Sequence, residues 1–250
     1  MRVTFPGVGE AFDETLPNTC VLLESEGHSA LLDCGFTAAH AYWCTALNPE
    51  HLDAVWISHF HGDHFLGLPL LLLRFWEQGR REPLTIIGQT GIGALAMESM
   101  DMAYPHFRAR LKFDLVVNEL QPGETLCAAG FTWSAAQGEH GAPSLAVRVE
   151  AEGRSVYYSG DGRPTRATLA LAHGADLVVH EAYALDATVP GHGTVPGAID
   201  FARQAEAKRL WLVHLSRNTR HNQRREVEAQ LRDAIDIEAF LPEPGDAIEL

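Results

Sequence analysis

The amino-acid sequence predicts an α/β fold built on mixed β-sheets rather than a purely parallel one. Three observations carry that expectation. Short apolar runs of strand character interleave with helical patterns along the chain. Several neighbouring strand runs are joined by tight turns, as at Glu26-Gly27, and only antiparallel strands can be joined so closely. Metal-competent side chains recur where apolar strands stop, the place where ligands converge in α/β sheets.

Each element has its own signal. Met1 to Phe5 is a short β-like stretch. Thr19 to Glu24 and Ser29 to Asp33 are apolar runs on either side of the Glu26-Gly27 turn. Leu52 to Ser58 (LDAVWIS) is another strand, and Gly67 to Glu77 (GLPLLLLRFWE) reads as a largely buried helix. Leu84 to Gly88 is a strand, and Gly91 to Tyr104 a helix stopped by Pro105. Phe113 to Leu120, Phe131 to Ala136 and Ser144 to Glu150 are strands, and Ser155 to Ser159 leads into Gly160-Asp161-Gly162. Thr165 to His173 is helical, Leu177 to His180 a buried strand, Gly197 to Glu206 an amphipathic helix and Arg209 to Val213 a strand. Arg224 to Ile235 closes as a helix.

Composition bounds the function. The chain has 250 residues, 46% hydrophobic and 21% charged, enough to bury a sizeable core. Nineteen Lys and Arg against 33 Asp and Glu give a net charge of −14, which argues against a general nucleic-acid binder but not against a small basic pocket. The longest apolar run, Phe65 to Leu73, is broken by Pro69 and falls well short of the ~20 residues of a membrane span. The start lacks the charged and apolar regions of a secretory leader. Cys20, Cys34, Cys44 and Cys127 form neither a CxxC pair nor a secretory framework, and Cys20 and Cys34 read as small core residues. A cytoplasmic protein with reduced thiols and no membrane contact is expected.

The 13 histidines are not evenly spread. The strand LDAVWIS stops at His59-Phe60-His61-Gly62-Asp63-His64, where four of six residues are zinc- or iron-type ligands. Alternation aims His59 and His61 at one metal, while Asp63 and His64, beyond the turn that Gly62 allows, aim at a second. A third nitrogen for the first metal and a carboxylate to bridge the two must come from elsewhere. His140 and Asp161, each following a strand, are the candidates, and His214, at the end of RLWLV, completes the second. So many polar groups gathered without a metal would be costly to bury.

With these residues assembled, the sequence resembles the metallo-β-lactamase superfamily. HFHGDH matches its HxHxDH signature, and His140, Asp161 and His214 follow in the family's order. Within the superfamily the chain is most similar to the ribonuclease Z group. PLTIIGQTGI, YSGDGRPT, GADLVVHEAY with its His180-Glu181-Ala182, Gly191-His192-Gly193-Thr194 and His214-Leu215-Ser216 resemble that group's successive motifs. The resemblance spans nearly the whole chain. It implies one domain over residues 1–250 with an αββα sandwich, two mixed β-sheets flanked by helices. It also implies two divalent metal ions, zinc first with manganese or iron as alternatives. His59, His61 and His140 would hold one ion, Asp63, His64 and His214 the other, with Asp161 between them. A bridging hydroxide would be the nucleophile, oriented by Asp63. Glu181 paired with His192 would assist the leaving group. A homodimer through Phe65 to Trp76 is a family-level expectation.

Three departures bear on substrate. Ribonuclease Z enzymes carry a tRNA-gripping arm between the His140 and Asp161 equivalents, where this chain has only 20 residues between positions, taken up by two strands and a turn. The last motif runs His214-Leu215-Ser216-Arg217-Asn218-Thr219, with its arginine displaced and no tyrosine. Gly162 stands where a threonine is expected after Asp161. The first two, with the acidic balance, disfavour tRNA. They favour a phosphodiesterase acting on a small anionic molecule, with a lactonase or thioester hydrolase as the alternative and a redox enzyme as a remoter one. Arg217 and Arg163 are the candidate phosphate contacts. Arg220, Arg224 and Arg225 lie close by in sequence, and Met97, Met100 and Met102 are candidates for a lid or for packing.

Overall fold

A computed structural model describes every residue from Met1 to Leu250. The first sheet contains β1 (Arg2–Gly7), β2 (Cys20–Ser25), β3 (His28–Leu32), β4 (Ala54–Ile57), β5 (Leu84–Gly88) and β6 (Leu115–Glu119). The second contains β7 (Thr125–Ala128), β8 (Phe131–Gln137), β9 (Leu145–Ala151), β10 (Arg154–Tyr158), β11 (Leu177–Glu181), β12 (Arg209–Val213) and β13 (Glu238–Phe240). The last strand, β14 (Ala247–Glu249), returns to the first sheet, whose order is β14-β1-β2-β3-β4-β5-β6; the second runs β13-β12-β11-β10-β9-β8-β7. Both are mixed as expected. The β2–β3 hairpin is antiparallel, with Leu22 opposite Leu31, while β3, β4, β5 and β6 are parallel. The second sheet repeats the scheme, antiparallel from β7 to β10 and parallel from β10 to β13.

The alternation of side chains decides the layering. One face of each sheet meets the other through Val3, Phe5, Trp56, Trp133, Val147 and Trp211, and Trp56 stacks on Trp133 with centroids 6.3 Å apart. The opposite face of the first sheet packs on α1 (Ala38–Thr45), α3 (Leu68–Glu77) and α4 (Ile92–Ala103) through residues such as Leu31, Tyr42, Leu71 and Ile86. That of the second packs on α5 (Arg166–Ala172), α6 (Val195–Gln204) and α7 (Arg224–Asp233). The result is four layers, helix–sheet–sheet–helix. Strand runs of unbroken apolar residues, such as AVWI in β4, follow from burial on both faces.

Some elements depart from the sequence expectation. Helix α6 starts at Val195, two residues early, because Thr194 Oγ1 accepts from Gly197 N and a proline in the first turn costs no hydrogen bond. Helix α1 is Ala-rich and without a marked polar face, and the short α2 (Gly62–Phe65) is a single turn that carries Asp63 and His64, with His61 at its N-cap. Neither has the length or periodicity to signal itself. Met100 is buried in the packing of α4, whereas Met102 is exposed. No helix is long and apolar enough to cross a membrane.

Candidate active site

The site lies along one edge of the sandwich, where five strands of the two sheets stop. His59 and His61 follow β4, and α2 then turns Asp63 and His64 inward. His140 follows β8, Asp161 follows β10, Glu181 ends β11 and His214 follows β12. The α2 turn is held by close backbone contact. Cys34 N donates to His64 O at 2.8 Å, and a Cβ on Gly35 would lie 1.8 Å from Asp63 O. Two residues at strand ends take left-handed backbone, Asp33 at φ +62° and His214 at φ +56°, which is uncommon for side-chain-bearing residues and clusters at functional sites.

Every residue expected to bind metal is brought together here. The donors fall into two groups, His59, His61, His140 and Asp161, and Asp63, His64, Asp161 and His214, with the ligand atoms of each group within 4.8 Å of one another. Asp161 belongs to both. In the first group, His61 Nδ1 is 3.0 Å from His59 Nε2 and 3.2 Å from His140 Nε2. In the second, His64 Nε2 is 3.2 Å from Asp63 Oδ2 and 3.3 Å from Asp161 Oδ1, and His214 Nε2 is 3.3 and 3.4 Å from the same two oxygens. Donors each ~2.0–2.2 Å from one tetrahedral ion stand about this far apart. His64 Nε2 and Asp161 Oδ1 are buried without a hydrogen-bond partner in the chain. Orphaned lone pairs facing one another at this spacing fit a divalent cation.

Neighbouring groups fix which nitrogen faces inward. His140 Nδ1 donates to Gly191 O at 2.8 Å, leaving Nε2 for metal. Ser58 Oγ donates to Asp33 Oδ2 at 2.8 Å and so accepts from His59 Nδ1 at 3.0 Å, leaving Nε2. His64 Nδ1 donates to Asp33 Oδ2 at 2.7 Å. Asp33 also accepts from Ser58 N at 2.7 Å and the Tyr158 hydroxyl at 2.7 Å. Asp33 lies outside the sequence-derived candidates, although it too follows an apolar run, SALL, at a strand end.

Burial pushes the His59 imidazole well down, keeping it neutral as a ligand must be. Burial also acts on His64 and His214, but the carboxylates, Asp161 first, outweigh it and raise both. Burial works to raise the Asp161 carboxyl, but His214 and His64 hold it well below the usual range. A cation bound there competes with protons for the same nitrogens.

Glu181 and His192 are also brought together. Glu181 is fully buried, and its Oε1 lies 3.2 Å from His192 Nδ1. The same oxygen accepts from Gly193 N at 2.8 Å, and Oε2 accepts from Tyr183 N at 2.9 Å. The His192 ring lies 5.0 Å from His140 and 6.0 Å from His214, centroid to centroid. Its neighbour His180 is core, packed on Phe201. Three of the candidate arginines are engaged with acids. Arg217 Nε is 3.3 Å from Glu10, Arg163 is 3.6 Å from Glu139, and buried Arg220 is 2.8 Å from Glu243. Cys20 and Cys34 are buried outside both donor groups, with thiols pushed up by burial first, then for Cys20 by Cys34 and for both by Asp33.

The family model described as Anti-Pycsar protein Apyc1 matches residues 1–235. The chain belongs to the Apyc1 family. A protein of Natronomonas pharaonis named Ribonuclease Z is 30% identical, with 100% of this chain and 98% of that protein covered. Another so named, from Methanothermobacter thermautotrophicus, is 30% identical over 86% of this chain and 87% of its own length. The human tRNase Z short form superimposes with a TM-score of 0.82 at 28% identity, covering 100% of this chain and 99% of that one. The metallo-β-lactamase fold protein YhfI of Bacillus subtilis gives 0.81 at 24% identity over 99% of each chain, which speaks for the fold alone. This Apyc1-family chain has the metallo-β-lactamase fold, is ribonuclease Z-like, and is a metal-dependent hydrolase.

Proposed function

We propose that the protein hydrolyses a small phosphodiester. The Glu181–His192 pair beside the donor groups carries the reading. Glu181 is buried with its oxygens already committed to backbone N–H groups, so it holds the His192 ring by Nδ1 and leaves Nε2 for substrate. An imidazole so held can protonate a departing alkoxide, a step a phosphodiester needs. His59, His61 and His140 would hold one divalent ion and Asp63, His64 and His214 the other, with Asp161 common to both. When bound, two ions lower the pKa of a water and offset the charge of the phosphoryl oxygens. Zinc suits this donor set, and manganese and iron are compatible with it. Asp63 accepts a hydrogen bond from the attacking water and orients it.

The names of the curated relatives favour a second reading, RNA cleavage. Two features support the small substrate instead. The 20 residues between positions 140 and 161 are consumed by β9, β10 and their connections. Alignment to the Natronomonas pharaonis relative runs over 307 positions for a 250-residue chain, so that relative carries segments without a counterpart here. A lactonase or thioesterase on the same centre is the third possibility.

Zinc- or manganese-loaded protein is to be assayed against bis(p-nitrophenyl) phosphate, a homoserine-lactone panel and a 3′-extended precursor tRNA. Diester turnover without lactone or tRNA cleavage is expected. Lactone turnover without diester turnover overturns the reading, and precise removal of the tRNA extension replaces it with the second.

A further inference from the structure

We infer that the cavity beside His192 receives the leaving group, and that Glu10 and Glu14 restrict it to alcohols without negative charge. The inference rests on the phosphodiesterase reading. The cavity has a volume of about 620 Å³ and opens between the segment after β1 and the turn after β12, lined among others by Glu10, Glu14, Tyr183, Ser216, Arg217 and Asn218. Its Tyr183 wall links it to the acid. Tyr183 stacks on His192 with centroids 4.6 Å apart at 29°, and Ser216 N donates to Tyr183 O at 2.9 Å. An oxygen protonated by His192 therefore has this space beside it for the group it carries away.

The charge in the cavity is unusual for a phosphate enzyme. Glu10 has a side chain only 3% exposed, with Oε1 3.3 Å from Arg217 Nε and Oε2 accepting from Phe12 N at 2.9 Å. Glu14 reaches the same guanidinium from the other side, 3.5 Å from its Nη1. Two carboxylates thus face one arginine, and the nearby His221 is taken by Asp13 at 2.8 Å. Arg217 is thus held between Glu10 and Glu14 rather than free to grip phosphate. A leaving group carrying a further anion, such as the next phosphate of a polynucleotide, meets uncompensated negative charge. A neutral, hydroxyl-bearing or aromatic alcohol meets hydrogen-bonding groups and the Tyr183 ring.

The test compares two diesters with the same methyl substituent, methyl 4-nitrophenyl phosphate and methyl 3-carboxy-4-nitrophenyl phosphate, on the metal-loaded protein. The wild type is expected to show kcat/KM lower by about tenfold or more for the carboxylate-bearing leaving group, mainly through KM. Added salt should shrink that gap. In the Glu10→Gln, Glu14→Gln double variant the gap should close to within about threefold. If Glu10→Gln unfolds the chain, Glu14→Gln alone, at a carboxylate 72% exposed, should close part of it. Equal kcat/KM in the wild type, or a gap untouched by either variant, overturns the inference. If neither diester is hydrolysed, the phosphodiesterase reading fails separately. Saturation-transfer NMR then decides the cavity's preference from binding of the two free phenols, and equal affinities overturn it.

Discussion

Asp33 Oδ2 lies 2.7 Å from His64 Nδ1, and Asp33 is fully buried between the two sheets' contributions to the site. One carboxylate there collects Ser58 N, Ser58 Oγ, the Tyr158 hydroxyl and His64. It ties a metal-candidate histidine of the first sheet to a strand of the second. The site is thus assembled across the sandwich interface, not on one sheet.

In Asp33→Asn an amide replaces a carboxylate that accepts four hydrogen bonds, and its NH₂ group faces donors. Affinity for the ion held by His64 should fall by about 10–100-fold. Metal content after dialysis against a weak chelator, with circular dichroism to verify the fold, measures this. Tyr158→Phe, which removes one donor and leaves the carboxylate, should lose less. Equal metal retention in Asp33→Asn and wild type would show that the carboxylate does not tune the site.

Gly35 makes a second, steric prediction. A Cβ there would lie 1.8 Å from Asp63 O, and Gly35's own oxygen stands 2.2 Å from where a Cβ on Gly67 would be. Neither side of the contact is a flexible side chain, so Gly35→Ala must separate the β3–α1 connection from α2. A loss of about 3–5 kcal/mol is expected by urea titration, with a lower melting temperature. A variant within about 1 kcal/mol of wild type would mean that the α2 turn yields easily.

These two residues also mark what the sequence could and could not reveal. HFHGDH was legible because four donor-type residues in six positions is a chemical pattern independent of the fold. His140, Asp161 and His214 are legible because each lies just beyond an apolar run at a strand end. Most strands and the long helices were legible for the same reason, as two-sided burial writes continuous apolar runs. Asp33 obeys the strand-end rule, but its one donor-type neighbour, Cys34, is buried outside both donor groups, so no local cluster marks it. Glu10 and Tyr183 could not be found at all. Glu10 owes its role to Arg217, 207 positions away, and Tyr183 to the placement of His192, so both depend on contacts that local patterns do not encode.

Asp176 gives the pH prediction. Its carboxylate accepts from Ser155 N at 2.9 Å and lies 2.6 Å from Lys208 Nζ. Burial alone would raise it, but Lys208 and the Ser155 backbone outweigh burial and lower its pKa below the ordinary value. A carboxyl lowered in the folded state binds its proton more readily when unfolded. Its stabilisation is therefore complete above the unfolded value of ~3.9 and is lost as pH falls through the folded one. Asp176→Asn should cost about 1 kcal/mol at pH 7 and show a shallower decline of urea midpoint below pH ~4, the two curves converging in acid. Parallel curves across that range would remove Asp176 from the acid response.

The role of His192 separates two kinds of leaving group. If its Nε2–H delivers a proton to the departing oxygen, the benefit scales with how basic that oxygen is. An alkoxide cannot leave unprotonated, whereas p-nitrophenolate can. His192→Ala should therefore lower kcat by about 10²–10⁴-fold on a dialkyl phosphodiester but by much less on bis(p-nitrophenyl) phosphate, with metal content unchanged. Glu181→Gln should follow the same pattern more mildly, because its amide oxygen can still hold Nδ1 but without charge to support a protonated ring. A His192→Ala loss equal for both substrates would point to a ring that binds or packs rather than one that gives up a proton. The 4.6 Å stack with Tyr183 makes that outcome physically available, so the ratio between substrates, not the size of either loss, is the measurement that decides.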